Sequence, residues 1–183
     1  SLIATIDEAT SIAFTENQIL GRKSTPKIFS GNALTEQSIT LNEGWTWTSF
    51  FVNDTRFSDI SELFSEISDY EEASIKNLLV FTSLENGAWN GSLNTLSTAE
   101  MYKIKLSEPY ELKLSGEQVD ETAINFEIYE GWNWLPFPIH KNISLLDALA
   151  FYEPTDGDVI KDQFNFAIYD ASSGWSGTLD YLI

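Results

Sequence analysis

Gly44-Trp45-Thr46-Trp47 opens an apolar run that continues to Phe51, and the pattern returns as Gly131-Trp132-Asn133-Trp134. Alternate residues of a β-strand point to the same face, so the two tryptophans of each copy lie side by side. In the second copy the opposite face is also apolar, which predicts a central strand covered on both sides that leaves regular pairing near Pro136. We therefore expect the four tryptophans to be structural core residues: Trp45, Trp47, Trp132 and Trp134.

The rest of the chain repeats around this strand. Four landmarks recur 85 to 87 residues later: Ser30 as Ser115, Trp45 as Trp132, Ile75 as Ile160 and Trp89 as Trp175. A constant separation across several landmarks indicates an internal repeat, and this period fits a small domain better than a solenoid unit. The sequence therefore predicts a mainly β protein with two tandem β-sandwich-like units of about 86 residues, each with one short α-helix. Unit 1 covers residues 31–115, and unit 2 covers residues 116–183. Residues 1–30 supply N-terminal strands, which either end a preceding unit or act as donor strands.

Each aromatic strand is followed by a short helix and then by paired strands. Ile60, Leu63, Phe64 and Ile67 have the spacing of one apolar helix face. Ser58 and Asp59 can cap this helix, and Glu62 lies three residues after Asp59 in a capping-box arrangement. In the second unit a helix begins near Ser144 and ends before Pro154. Flexible residues at Asn86-Gly87 and Ser173-Gly174 predict turns that lead into Trp89 and Trp175.

A hairpin is expected to finish the first unit, because residues 102–106 and 110–114 alternate between apolar and polar side chains. The second unit reaches Ile183 before any equivalent of this hairpin. Either the chain belongs to a longer array, or strands from elsewhere complete the unit. The strands within residues 1–29 are the candidate donors, from the same chain or from a neighbouring copy.

Composition narrows the classes of function. The net charge is −18 and the pI is near 4.1, which repels nucleic acid and anionic lipid surfaces. The chain has no cysteine, so disulfides and thiolate metal sites are excluded. No apolar run approaches the length of a membrane span, so we expect no membrane insertion. The first five residues lack the basic start of a signal peptide, and we expect a soluble mature segment.

The motifs resemble a known family. Gly131-Trp132-Asn133-Trp134, Gly157-Asp158-Val159-Ile160-Lys161 and Gly174-Trp175-Ser176-Gly177-Thr178-Leu179 resemble tandem repeats of large secreted and cell-surface bacterial proteins. The likeness covers 31–183, and the second copy matches more strongly than the first. The Pro-Gly-x-Gly-Tyr segment of that family is replaced by residues 97–102 in the first copy. The resemblance implies an extracellular or cell-surface location and an adhesive or structural role, and it carries over no catalytic residue.

Two tryptophans at turns are the candidate ligand-binding residues. Trp89 and Trp175 could stack on sugar rings, as flat amphipathic side chains do, which would make the chain a carbohydrate-binding module. The alternative is that both indoles seal the core at the sheet edge, because both copies place a tryptophan at the same point.

Acidic residues supply the candidate metal ligands. Asp156, Asp158 and Asp162 offer the hard oxygens that Ca²⁺ prefers, although their spacing does not match an EF-hand and Asp-Gly is also a turn signal. His140 is the only histidine, and no spacing completes a catalytic triad. A hydrolase would need two converging carboxylates, which sequence spacing does not reveal.

We therefore expect a non-catalytic structural or adhesive repeat module, in which strand exchange could complete the open unit. The expected partners are other copies or neighbouring repeats of the same protein. Glycans are the alternative partner, and we expect no nucleic acid.

Overall fold

A computed structural model describes residues 2–6, 10–13, 34–120, 125–150 and 152–182. The fold is mainly β, as the sequence predicts, with antiparallel sheets and two single-turn α-helices. The chain forms two compact units. The first unit is Leu34–Val119, and the second unit combines Ser1–Ala33 with Asp120–Ile183. Within the described residues, neither helix has the length or apolarity needed to span a membrane.

The helices are α1 (Ile60–Leu63) and α2 (Leu145–Ala148), and short 3₁₀ turns flank α1 at Thr55–Ser58 and Ser65–Ile67. The strands, in chain order, are β1 (Leu2–Ile6), β2 (Thr10–Ala13), β3 (Thr35–Leu41), β4 (Gly44–Thr48), β5 (Val52–Asp54), β6 (Ala73–Lys76), β7 (Phe81–Glu85), β8 (Ala88–Gly91), β9 (Tyr102–Leu106), β10 (Tyr110–Gln118), β11 (Asn125–Ile128), β12 (Gly131–Leu135), β13 (Ile143–Ser144), β14 (Val159–Lys161), β15 (Phe166–Asp170), β16 (Gly174–Gly177) and β17 (Tyr181–Leu182).

The first unit contains a five-stranded sheet in the order β4-β9-β6-β7-β8 and a three-stranded sheet in the order β3-β10-β5. Both sheets contribute to one core. Ile75 and Ile104 come from the five-stranded sheet, whereas Leu41 and Leu112 come from the three-stranded sheet, and all four side chains are fully buried. The predicted apolar face of the helix is also buried in this core.

The predicted terminal hairpin is wrong in its pairing. Both strands form, but β9 pairs with β4 and β6, whereas β10 pairs with β3 and β5. The chain crosses from one sheet to the other at Ser107-Glu108-Pro109. Each strand can bury its apolar face in the shared core from its own sheet, so the alternating pattern is satisfied without a hairpin.

The second unit repeats this arrangement with strands from both ends of the described chain. Its five-stranded sheet has the order β12-β1-β14-β15-β16, and β2 pairs with β11. Strand β1 thus lies between β12 and β14, as β9 lies between β4 and β6. Strand β2 pairs with β11 as β10 pairs with β3. In this structure the strands β1 and β2 of the same chain occupy the positions of β9 and β10.

A β-bulge explains the repeated sequence Trp-x-Gly-Ser/Thr-Leu. In the first unit the carbonyl oxygen of Phe81 accepts hydrogen bonds from the backbone N–H groups of Ser92 and Leu93, at 3.0 and 3.2 Å. The carbonyl oxygen of Phe166 accepts the equivalent two bonds in the second unit. Two donors facing one acceptor bend the strand, so that Leu93 turns into the core.

The residue after the bulge holds the start of the helix. The carbonyl oxygen of Asn94 accepts from the N–H of Ile60 at 3.2 Å, and that of Asp180 accepts from the N–H of Leu145 at 2.8 Å. Side chains cap the same helices: Asp59 accepts from Ser61 N, and Ser144 accepts from Asp147 N. Asp59 is therefore an N-cap, as predicted.

The two bulge glycines provide the first prediction. A Cβ atom on Gly91 or Gly177 would lie 2.3 or 2.2 Å from the carbonyl oxygen of Phe81 or Phe166. We expect Gly91→Ala and Gly177→Ala each to lower the free energy of unfolding by about 2 kcal/mol or more, because backbone must move to relieve the overlap. Denaturant unfolding measures the loss. Ser176→Ala, at the exposed neighbouring position, serves as control, and an equal stability of Gly177→Ala and Ser176→Ala would contradict the explanation.

A buried carboxylate ties β5 to β10 in the first unit. Asp54 is 4% exposed and accepts hydrogen bonds from the guanidinium and backbone N–H of Arg56 and from the backbone N–H of Ser115. Arg56 also donates to the carbonyl oxygen of Lys113 at 2.6 Å. Burial alone would raise the pKa of Asp54, but these donors outweigh it and lower the pKa to about 2 from its ordinary 3.8.

Because of this carboxylate, the stability of the first unit changes with pH in the acid range. Since the pKa is lower in the folded than in the unfolded state, the stabilisation is fully present above about pH 4 and is lost as the pH falls toward 2. We expect Asp54→Asn to lower the free energy of unfolding by about 2 kcal/mol at pH 7. We also expect the free energy of unfolding of this variant to change less with pH between about pH 4 and 2. Unfolding curves at stepped pH measure both effects, with Asp69→Asn as the exposed control. An unchanged slope in Asp54→Asn would refute this account.

Candidate functional site

The tryptophan strands lie at sheet edges, which corrects the expectation that they are central and covered on both sides. Within the described chain β4 pairs only with β9, and β12 pairs only with β1. Trp45 is 38% exposed and Trp132 is 49% exposed, while Trp47 and Trp134 are half-buried. The indoles therefore lie on the outer face, and the prediction that these four residues form the core was wrong.

The residue between the two tryptophans points inward instead. Thr46 and Asn133 are buried, and each binds a backbone N–H group four residues earlier in the chain. The hydroxyl of Thr46 accepts from Asn42 N, and the amide oxygen of Asn133 accepts from Tyr129 N, both at 3.0 Å. Burying this polar residue closes the turn before the strand, and it forces both tryptophans to the opposite face.

Lysine side chains lie over the outward indoles in both units. The Nζ atom of Lys76 is 4.6 Å from the ring centre of Trp45, and that of Lys161 is 4.6 Å from the ring centre of Trp132. Lys103 lies 3.8 Å from the ring centre of Trp47. In these cation–π contacts the lysine ammonium groups lie over the indoles, and the three lysine side chains are half-buried.

Large apolar side chains are exposed next to these lysines. Leu79 is 87% exposed and Phe164 is 82% exposed, at the equivalent loop positions between β6 and β7 and between β14 and β15. Phe81 and Phe166 are exposed beside them, in register with Lys76 and Lys161. We call each set the outer patch: Trp45, Lys76, Leu79 and Phe81 in the first unit, and Trp132, Lys161, Phe164 and Phe166 in the second.

The outer patch of the first unit is concave. A groove of about 380 Å³ is lined by all four of its residues and by the neighbouring Leu78. Exposed apolar surface of this kind is typical of interaction sites. Sequence reasoning missed the patch, although the recurrence of a large apolar residue at Leu79 and Phe164, two residues after Asn77 and Asp162, was a usable signal.

The three candidate calcium ligands hold turns. The oxygens of Asp162 accept from Phe164 N and Asn165 N, and Asn77 makes the equivalent bonds to Leu79 N and Val80 N in the first unit. A neutral amide therefore does the same work as Asp162. Among the described residues, no group of three or more histidine, cysteine, aspartate or glutamate side chains is arranged to hold a metal ion.

Asp156 and Asp158 act in a neighbouring turn. Asp158 is 2% exposed and accepts hydrogen bonds from the hydroxyl of Tyr152 and from the N–H and hydroxyl of Thr155. Asp156 accepts from the N–H of Ala171 at 3.0 Å. These bonds match the turn interpretation of the sequence, since each carboxylate is satisfied by protein donors.

Trp89 is packed against the helix of its unit. The indole is half-buried against the core, and its ring centre lies 5.7 Å from that of Phe64, the residue directly after α1. An indole in contact with Phe64 has one face occupied by protein. This position fits the alternative in which Trp89 seals the core.

Trp175 occupies the equivalent point but borders a groove. The groove measures about 320 Å³, and its ten lining residues are Ser144, Leu145, Leu146, Ala167, Trp175, Ser176, Gly177, Leu179, Asp180 and Tyr181. The ring of Trp175 is half-buried and lies 5.4 Å from that of Tyr169. The groove therefore combines an indole with a floor of buried aliphatic side chains.

The turn that presents Trp175 is held by Asp170. Its carboxylate accepts four hydrogen bonds from the hydroxyl and backbone N–H groups of Ser172 and Ser173. The serine hydroxyls, and then the backbone donors, lower the pKa of Asp170 to about 2 from its ordinary 3.8, because all of these hydrogen bonds favour the charged carboxylate.

Sequence reasoning therefore placed Trp89 and Trp175 at equivalent turns but did not distinguish their surroundings. Comparisons of the chain with protein-family models, with curated proteins and with solved structures find no match.

Proposed function

We propose that this chain is a non-catalytic structural and adhesive module of a secreted or cell-surface protein, built from two β-sandwich-like repeat units. The observation that carries the proposal is the outer patch, because both units expose the same combination of tryptophan, lysine and large apolar side chains at equivalent positions. The resemblance of the motifs to tandem repeats of secreted and surface proteins supports the extracellular location.

The way in which the sheets share a core supports a sandwich architecture. In the first unit the two sheets both bury aliphatic residues in one cluster, as in the aligned packing of two sheets face to face. In the second unit the core includes Ile128 from β11 and Ile160 from β14, which belong to two different sheets. A repeated unit of this kind is suited to spacing and display, since each unit buries a core of its own.

The partner that best fits the outer patch is another copy or a neighbouring repeat of the same protein. The chain carries 28 acidic and 10 basic side chains, so the surface of any copy is strongly acidic. Lys76, Lys103 and Lys161 lie on the outer sheet faces, where they complement such a surface. The exposed leucine and phenylalanine side chains supply apolar area that contact with a partner would bury.

Removing the most exposed apolar side chains tests this adhesion. We expect Leu79→Ser combined with Phe164→Ser to weaken self-association of the chain by about tenfold or more, because each substitution removes apolar area from the contact. Sedimentation velocity over a range of protein concentrations measures the change.

Leu146→Ser is the matched control, since Leu146 is 67% exposed but lies on α2, outside the outer patch. This variant should associate like the unmodified chain. Equal association of the double variant and the unmodified chain, or a monomeric unmodified chain at every concentration, would contradict the proposed adhesion.

Strand exchange offers a second mode of assembly. Strands β1 and β2 complete the second unit, yet the whole first unit separates them from β11 and β12 in the chain. The contacts that they make are available equally from the β1 and β2 of another copy. Exchange of an identical element between copies costs little, because the same contacts re-form.

A cysteine pair can report which copy donates the strand. Ser11 and Glu127 are directly opposed on β2 and β11, and opposed residues of antiparallel strands are close enough for a disulfide. The chain has no cysteine of its own. We expect Ser11→Cys with Glu127→Cys to give a disulfide-linked monomer after dilute refolding and a substantial linked dimer after concentrated refolding, as seen on a non-reducing gel.

Thr40→Cys with Glu111→Cys provides the matched control, because this pair joins β3 and β10, which both belong to the first unit. It should give linked monomer at both concentrations. Linked monomer alone from the test pair at high concentration would rule out exchange.

A further inference from the structure

We infer that the groove beside Trp175 binds a single neutral pyranose ring of a glycan. The inference is independent of self-association through the outer patch. It depends on the volume and the lining of this groove.

A ring of the same unit lies against each of the two tryptophans. The ring centre of Phe64 lies 5.7 Å from that of Trp89, and the ring centre of Tyr169 lies 5.4 Å from that of Trp175. Trp175 is half-buried and also borders the groove of about 320 Å³, so part of its indole faces open space.

The lining of the groove matches the two surfaces of a sugar ring. Leu145, Ala167 and Leu179 are buried and form an apolar floor beside the indole, which suits the C–H face of a pyranose. A small ligand site is typically apolar with a few polar groups that fix orientation, and its volume begins at about 300 Å³. The groove therefore has room for one ring.

Polar groups at the rim are available for the hydroxyls of a sugar. The carboxylate of Asp180, the hydroxyls of Ser176 and Tyr181 and the indole N–H of Trp175 make no hydrogen bond with the described residues. A carboxylate paired with hydroxyl groups is suited to binding neighbouring sugar hydroxyls. Asp180 and the net charge of −18 disfavour anionic sugars, so the ligand class is neutral.

A filling variant tests the site without removing the indole. Ala167→Leu places a larger side chain on the floor of the groove, and we expect the affinity for the sugar to fall at least about tenfold. The probes are neutral trisaccharides of glucose, mannose, galactose and xylose, titrated into the full chain by calorimetry. Circular dichroism and the melting temperature of the variant show that it is folded.

Two further variants distinguish the loss of a polar contact with the sugar from a general effect of substitution on the chain. Asp180→Asn should weaken the same trisaccharide severalfold, whereas Asn94→Asp, at the equivalent position of the first unit, should leave its affinity unchanged. The inference would be overturned if no trisaccharide bound, if the folded filling variant bound as tightly as the unmodified chain, or if a proline-rich peptide bound at Trp175 in place of every sugar.

Discussion

One backbone carbonyl in each unit holds the fold together at the tryptophan turn. The carbonyl oxygen of Phe81, and that of Phe166 in the second unit, accepts two consecutive N–H groups from the strand that follows the tryptophan. The approach is so close that only glycine fits at Gly91 and Gly177. The resulting bulge turns a leucine into the core and places the next carbonyl oxygen on the first N–H group of the helix. Sheet, core and helix are thus linked through one short segment.

The repeat, the mainly β class and the positions of the helices could be predicted from the sequence, because each has a local signature. The bulge sequence, the helix caps at Asp59 and Ser144, and the turn at Asn86-Gly87, where both residues have positive φ, are recorded in a few neighbouring residues. The strands with which β9 and β10 pair have no such local signature in the sequence. Alternation shows which residues of a strand are buried together, but two strands joined by a short connection can bury them in one core from the same sheet or from two.

The exposure of the tryptophans was unpredictable for a related reason. Alternation places Trp45 and Trp47 on one face and Thr46 on the other, and size and hydrophobicity favour burial of the indoles. The structure selects the opposite face, because Thr46 closes the preceding turn and lysines from other strands of the same sheet lie over the indoles. Those lysines are distant in sequence, so their contacts with the rings depend on the strand order. The outer patch was missed for the same reason, since it combines residues from β4, β6, β7 and the loop before β7.

The two units differ where the framework does not constrain them. The bulge, the caps and the carbonyl contacts with the helix recur in both units, and they fix the backbone around Trp89 and Trp175. None of these contacts specifies the side chains around the two indoles. Phe64 lies against the indole of the first unit, whereas Tyr169 lies against the indole of the second unit, which also borders a groove. The surroundings of the tryptophan can therefore differ between the units without any change in the backbone contacts that hold the turn.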